Sequence, residues 1–470
     1  MHKVVVPVSY PSGYITGVSS VSLAEEVGAT PPGKFRHKMS PVCVKELSGS
    51  IHVKAVDVLH QLGKAITPPA PLVGPHDPTL WPIIKYFNFF DEVGDRLHCG
   101  AQASWYVEHG RTAVSDELGV AFSLIAARIW MEKTHHSSGV TFHDVEGALA
   151  GRYGHGYMGI SPQSRRARSR PDWLASGFVS QYPGSRTVCL VESKGTKGAT
   201  RKNHVSVLGG ALDQLGSVTV TNSSGNPKHA AGAKHSPPGL AVRAVTGRGQ
   251  VEIWSIDPPG SGEDVFRVGP PSNLEITQLL NSWSEKSRRT DLAGVIEKSN
   301  GSLEAESFPA GRASQDPNTS ESLPNDGEES SDPRLSLEAE QLSVYLTGMS
   351  AVRAVGWSRD AAAAQAVYDT RWPAPESRLE EDYRIDTEAG RAFGRVERIP
   401  GTKRGIFLGV LGDVIKPLRD GDFEEYDRAR SHIEQGHNGD ALGGGVPSTS
   451  TYESGLSVDG DGTVLAVVES

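Results

Sequence analysis

The sequence predicts an α/β protein, a mixed sheet flanked by helices, with additional α+β regions at its N-terminal and C-terminal ends. Three observations predict it. Leu118, Phe122, Ile125 and Ile129 recur at helical spacing over 115–130, giving a single apolar stripe. Two extended runs then flank Tyr182-Pro183-Gly184-Ser185, where Pro presets φ for the second turn position and Gly accepts the positive φ of the third. A second helical pattern, with Val205, Leu208, Leu212 and Leu215 inward, precedes strand candidates at 217–221, 240–245 and 251–256.

Length and composition bound the rest. At 470 residues the chain is long enough for two or three domains. It has no run of about 18 apolar residues, so no membrane span is expected. The start, MHKVVVPVSYPSG, lacks the apolar core of a secretory signal, and a cytoplasmic location follows as an expectation. Cys43, Cys99 and Cys189 are odd in number and widely spaced, which suits reduced thiols better than disulfides or zinc. The net charge of −9 argues against nucleic acid only if it is evenly spread. It is not, because 161–204 carries nine Lys and Arg against Asp172 and Glu192.

Taken in order, residues 1–110 form an N-terminal region with short β-like pieces, Val4-Val5-Val6 and Ile51-His52-Val53, broken by Pro and Gly. The proline-rich 67–71 reads as a rigid loop. The aromatic run at 81–90 reads as core, which outweighs base stacking for such a cluster. Residues 111–299 form the central domain, with a helix entrance at Ser115-Asp116-Glu117. His135, His136 and His143 fit no common zinc spacing. Gly154-His155-Gly156-Tyr157-Met158-Gly159 matches a dinucleotide fingerprint by letter, but it follows no clear strand and opens no helix. A helix at 274–286 is expected to pack on the core.

Residues 300–340 hold ten Asp and Glu against two Arg with little bulky apolar content, the composition of a disordered acidic linker. Residues 341–470 read as a separate small α+β domain, the place for any protein partner. It has helices at 360–368 and 422–435, a buried strand at 405–411 and a hairpin at 456–468 around Asp459-Gly460-Asp461-Gly462. A calcium loop counted from Asp459 needs an acid at its twelfth position and finds Ser470, so turn chemistry explains the DGDG.

The chemistry concentrates in the hairpin. Folding it carries Asp172, at the start of the first strand, and Glu192, near the end of the second, to one end of the sheet. Alternation puts Glu192 and Lys194 on one face and Ser193 on the other. Two carboxylates on a rigid sheet can hold Mg²⁺, and an adjacent ammonium can orient a nucleophile. The apolar run Val188-Cys189-Leu190-Val191 leads into Glu192, so the acid lies at the mouth of a buried strand. Lys197, Arg201 and Lys202 are candidate phosphate contacts, as are Arg165, Arg166 and Arg168 on the other side of the hairpin.

Pro171-Asp172 followed by Glu192-Ser193-Lys194 resembles the PD-(D/E)XK motif of the restriction-endonuclease-like nucleases, over roughly 110–260 only. The resemblance implies a restriction-endonuclease-like core and a metal-dependent nuclease, endonuclease or exonuclease. It implies Mg²⁺ held by Asp172, Glu192 and the Ser193 carbonyl, with Mn²⁺ able to substitute, and Lys194 acting on the water. DNA is then the expected partner ahead of RNA, and a defence or restriction role fits by analogy. It also makes Glu117, from the preceding helix, a further acid of the site, and aims Gln214 back toward it. The rival reading is an inactive nuclease core kept for binding nucleic acid or as a scaffold.

Overall fold

The computed structural model describes residues 3–31, 40–66, 80–100, 108–145, 160–162, 170–179, 185–198, 200–221, 234–235, 238–246, 249–258, 265–267, 383–414, 417, 423–433 and 453–469. The N-terminal region supplies β1 (Lys3–Val4), β2 (Ser12–Val18), α1 (Val21–Gly28), β3 (Gly49–Lys54), α2 (Ala55–Ile66), α3 (Leu80–Tyr86), β4 (Phe90–Val93) and β5 (Arg96–Cys99). The central region supplies α4 (Glu108–Thr134), β6 (Ser137–Asp144), β7 (Ile160–Pro162), β8 (Trp173–Val179), β9 (Ser185–Thr196), α5 (Arg201–Leu215), β10 (Val218–Thr221), β11 (Lys234–His235), β12 (Gly239–Val245), β13 (Gly249–Gln250), β14 (Glu252–Ile256) and β15 (Val265–Arg267). The C-terminal region supplies β16 (Tyr383–Thr387), β17 (Gly390–Arg398), β18 (Arg404–Leu411), α6 (Phe423–Ile433), β19 (Leu456–Val458) and β20 (Thr463–Glu469).

The result is a mixed α/β protein with two large sheets. The first runs β13-β5-β2-β14-β12-β9-β8-β6, with β3, β4 and β15 attached at β2, β5 and β9. Its centre is built by the hairpin: β8 and β9 pair antiparallel with Trp173 opposite Val191, and β6 extends the meander on the outer edge of β8. Helix α5 then crosses over, and β12 returns parallel to β9. Strand alternation sorts the two faces. Cys189 and Val191 of β9 join Leu118, Phe122 and Ala126 of α4 in one core, whereas Val188 and Leu190 join Leu208, Leu212 and Leu215 of α5 in another.

Several expectations change at this level. Helix α4 already begins at Glu108, so Ser115-Asp116-Glu117 lies inside the helix and is not its entrance. The N-terminal region joins the large sheet, where β2 runs parallel to β14. Phe87, Phe89 and Phe90 are buried in the α4 core, as the aromatic run suggested. The C-terminal sheet, in place of the separate domain expected, takes β1 from the extreme N-terminus, Lys3 pairing with Tyr383. It also shares one apolar core with α2 and α4. Strand 217–221 leaves the large sheet and pairs with β7 and β11. The turn at 182–184, the glycine loop 154–159, the helices at 274–286 and 360–368, and the linker 300–340 fall outside the described residues.

Candidate active site

Asp172 directly precedes β8, one step beyond the Trp173–Val191 pair, and so comes level with Glu192 on β9. Its backbone is pinned from two sides. The Val145 N–H donates to its carbonyl at 3.1 Å, and the Gln214 side-chain amide donates to the Arg170 carbonyl two residues earlier at 3.0 Å. The carboxylate is held by Ser193, whose backbone N–H and hydroxyl both donate to Oδ2, at 2.9 and 2.7 Å. Oδ1 accepts nothing among the described residues. One oxygen orients the acid, and the other remains for a ligand.

Glu192 is fully buried, 0% exposed, at the point where the apolar run of β9 ends. Its carboxylate is ion-paired with the Lys194 ammonium, yet neither oxygen receives a well-directed hydrogen bond. Burial pushes its pKa up to about 8, and the nearby Asp172 carboxylate adds to the rise. Lys194 and the Asp172 backbone pull the other way and lose, because removing a carboxylate from water outweighs these partners. Lys194 itself is 36% exposed at the side chain, and it bridges the buried acid to the surface. Burial lowers its pKa, but Glu192, Asp172 and Asp116 together hold it above the usual value.

Two glycines let α4 reach this point. A Cβ on Gly195 would sit 1.9 Å from the Ser115 carbonyl oxygen, and one on Gly119 would sit 2.5 Å from the Gly195 Cα. Backbone therefore lies on backbone immediately after Lys194. That contact decides which helix acid joins the site. Glu117 turns away: its carboxylate takes both oxygens to Lys85 Nζ, at 2.9 and 2.8 Å, and one to the Tyr86 hydroxyl at 2.7 Å. Asp116 is the acid of α4 whose charge acts on Lys194, and burial together with Glu117 raises its own pKa against the pull of Lys194. The acid expected at position 117 is replaced by its neighbour.

The remaining expected residues divide. Gln214 acts on the chain leading into Asp172, so its role is to position that acid. Arg201 forms an ion pair with Glu26 of α1 at 2.7 Å and lies over the Trp254 ring, so this phosphate contact is already engaged. Lys197 and Lys202 are exposed. Arg165, Arg166 and Arg168 fall outside the described residues. His135 and His136 gather no metal-binding group, and none with three or more His, Cys, Asp or Glu side chains occurs among the described residues. The three cysteines are free thiols.

Comparison with protein-family models, with curated proteins and with solved structures returns no significant match to this chain. No described helix is long and apolar enough to cross a membrane.

Proposed function

We propose that this protein is a metal-dependent nuclease that hydrolyses phosphodiester bonds, in DNA ahead of RNA, with Mg²⁺ as its ion and Mn²⁺ able to substitute. The observation that carries the reading is the buried Glu192 carboxylate. It sits level with Asp172, is bridged to the surface by Lys194, and receives no directed hydrogen bond on either oxygen from the described residues. An apolar run does not end in such a group without a use for its charge. The order helix, hairpin, helix, strand is also the one that a restriction-endonuclease-like core requires.

The donor set fits a hard divalent cation. Asp172 Oδ1 and the Glu192 carboxylate are oxygen donors, and the Ser193 carbonyl is the expected third, a small set that suits an ion retaining several waters. When bound, such an ion lowers the pKa of water and offsets charge on the phosphoryl oxygens. The chain's own residues do the rest. Ser193 fixes the rotamer of Asp172, Gln214 fixes the segment before it, and the hairpin fixes the spacing between the acids. Lys194, part-exposed beside Glu192, would present its ammonium to the attacked phosphate and the incoming water.

The test is a cleavage assay with Mg²⁺, Mn²⁺ or EDTA over supercoiled plasmid, linear duplex, single-stranded DNA and RNA. Metal-dependent cleavage is expected, lost in Asp172→Ala and Glu192→Ala and reduced roughly 10²-fold in Lys194→Ala. Undiminished cleavage by a folded Glu192→Ala protein would remove the reading, and binding without cleavage in every form would leave an inactive nucleic-acid-binding core.

A further inference from the structure

Strand β12 reads Gly-Leu-Ala-Val-Arg-Ala-Val, an apolar run interrupted by one guanidinium. Arg243 is 6% exposed, and its Nε and Nη1 have no hydrogen-bond partner among the described residues. Burial lowers its pKa. A buried cation with no counter-ion among the described residues opposes folding, so a chain that keeps one there has another use for it.

The register says where that use lies. In the parallel pairing of β12 with β9, Ala241 is opposite Glu192 and Arg243 is opposite Lys194. Paired residues of neighbouring strands project from the same face, so Arg243 shares the face of Glu192 and Lys194, the one that α5 covers. The carboxylates do not serve it. Glu192, Asp172 and Asp116 all act on Lys194, whereas desolvation alone acts on Arg243.

We propose that Arg243 is a phosphate-binding residue of this site, holding a phosphate of the nucleic-acid strand beside the one exposed to Lys194. The proposal rests on the nuclease reading and adds to it the group that seats the substrate backbone. A guanidinium suits the role because its planar fork matches two phosphate oxygens and it stays charged at any working pH. Low local dielectric strengthens the pairing, and the anion supplies a counter-charge that the described residues do not. Lys194, opposite it and 36% exposed at the side chain, marks the open side of the site.

The experiment follows thermal unfolding in EDTA, with inorganic phosphate or thymidine 5′-phosphate titrated against chloride at equal ionic strength. A ligand that binds only the folded state raises Tm in proportion to its affinity. Wild-type protein is expected to be protected by both probes. Arg243→Met is expected to bind them at least about tenfold more weakly while unfolding, without ligand, at the wild-type temperature or above it, since an uncompensated buried charge has been removed. Arg243→Lys is expected to keep part of the protection. A residue that merely held the fold would give the reverse pattern: lower ligand-free Tm in Arg243→Met with phosphate affinity unchanged. That pattern overturns the proposal, and so does a wild type that neither probe protects. Protection that survives in Arg243→Met, beside cleavage that Glu192→Ala abolishes, rejects this inference and leaves the nuclease standing. Arg243-dependent protection with no cleavage by any form supports the phosphate site and removes the nuclease.

Discussion

Burial pushes the Glu192 pKa up to about 8, far above its ordinary 4.5. The sign of the consequence follows from linkage. A carboxyl whose folded-state pKa is raised contributes its stability below the unfolded value and loses it as pH rises through the folded one. In EDTA, wild-type protein should therefore lose roughly 1.4 kcal/mol per pH unit relative to Glu192→Gln between about pH 4.5 and 8, and above that keep a constant deficit. Urea unfolding of the two proteins at successive pH values checks this, and parallel curves throughout would contradict it. At this scale the sequence was informative where chemistry breaks a pattern. Glu192 ends the apolar run of β9, and the motif around it is readable. Arg243 breaks an apolar strand in the same way, but an isolated arginine fits no motif, and its meaning needs the register with Lys194.

The elements were legible where periodicity is strong and ambiguous where phase decides. Helix α4, the β8–β9 hairpin and α5 lie where their apolar stripes put them. Which of Asp116 and Glu117 faces the site depends on the rotation of α4, and that is set by Gly119 against Gly195, a contact between distant segments. The Asp459-Gly460-Asp461-Gly462 turn is a second case. Its spacing explains a hairpin, yet both acids are buried and tie the C-terminal sheet to the helices: Lys64 pairs with both, and Arg128 pairs with Asp459. Burial opposes the charge on Asp461, but Lys64 and Thr463 outweigh it and hold its pKa below the usual carboxylate range. Beside them His60 is buried and neutral, its pKa pushed down to about 3, and hydrogen-bonds Ser457 and Thr463. Removing one member of a buried ion network leaves the others uncompensated. Asp459→Asn should cost roughly 3 kcal/mol and raise amide exchange in β18 and β20 above that in β9. Uniform exchange across both sheets would contradict a local tether.

Over the whole molecule, composition pointed to the acidic 300–340 stretch as a divider, and its poverty in apolar residues does make it the expected place for a protease to cut. What composition cannot register is long-range strand pairing. β1 joins β16 across some 380 positions, and Arg430 of α6 is buried with hydrogen bonds to Gly139 and Gly460. Limited proteolysis should therefore cut within 300–340 and yield two fragments that co-elute in size exclusion and separate only in denaturant. Fragments that part without denaturant would show the two sheets to be independent.

The central claim, one metal-dependent site of Asp172, Glu192 and Lys194, is tested most directly by titration calorimetry with Mn²⁺ on folded single mutants. Asp172→Ala and Glu192→Ala each remove an oxygen ligand and should lose measurable binding, whereas Lys194→Ala removes only a neighbouring positive charge and should bind Mn²⁺ as tightly as wild type or more tightly. Wild-type affinity in Glu192→Ala, or loss of binding in Lys194→Ala alone, would contradict the account.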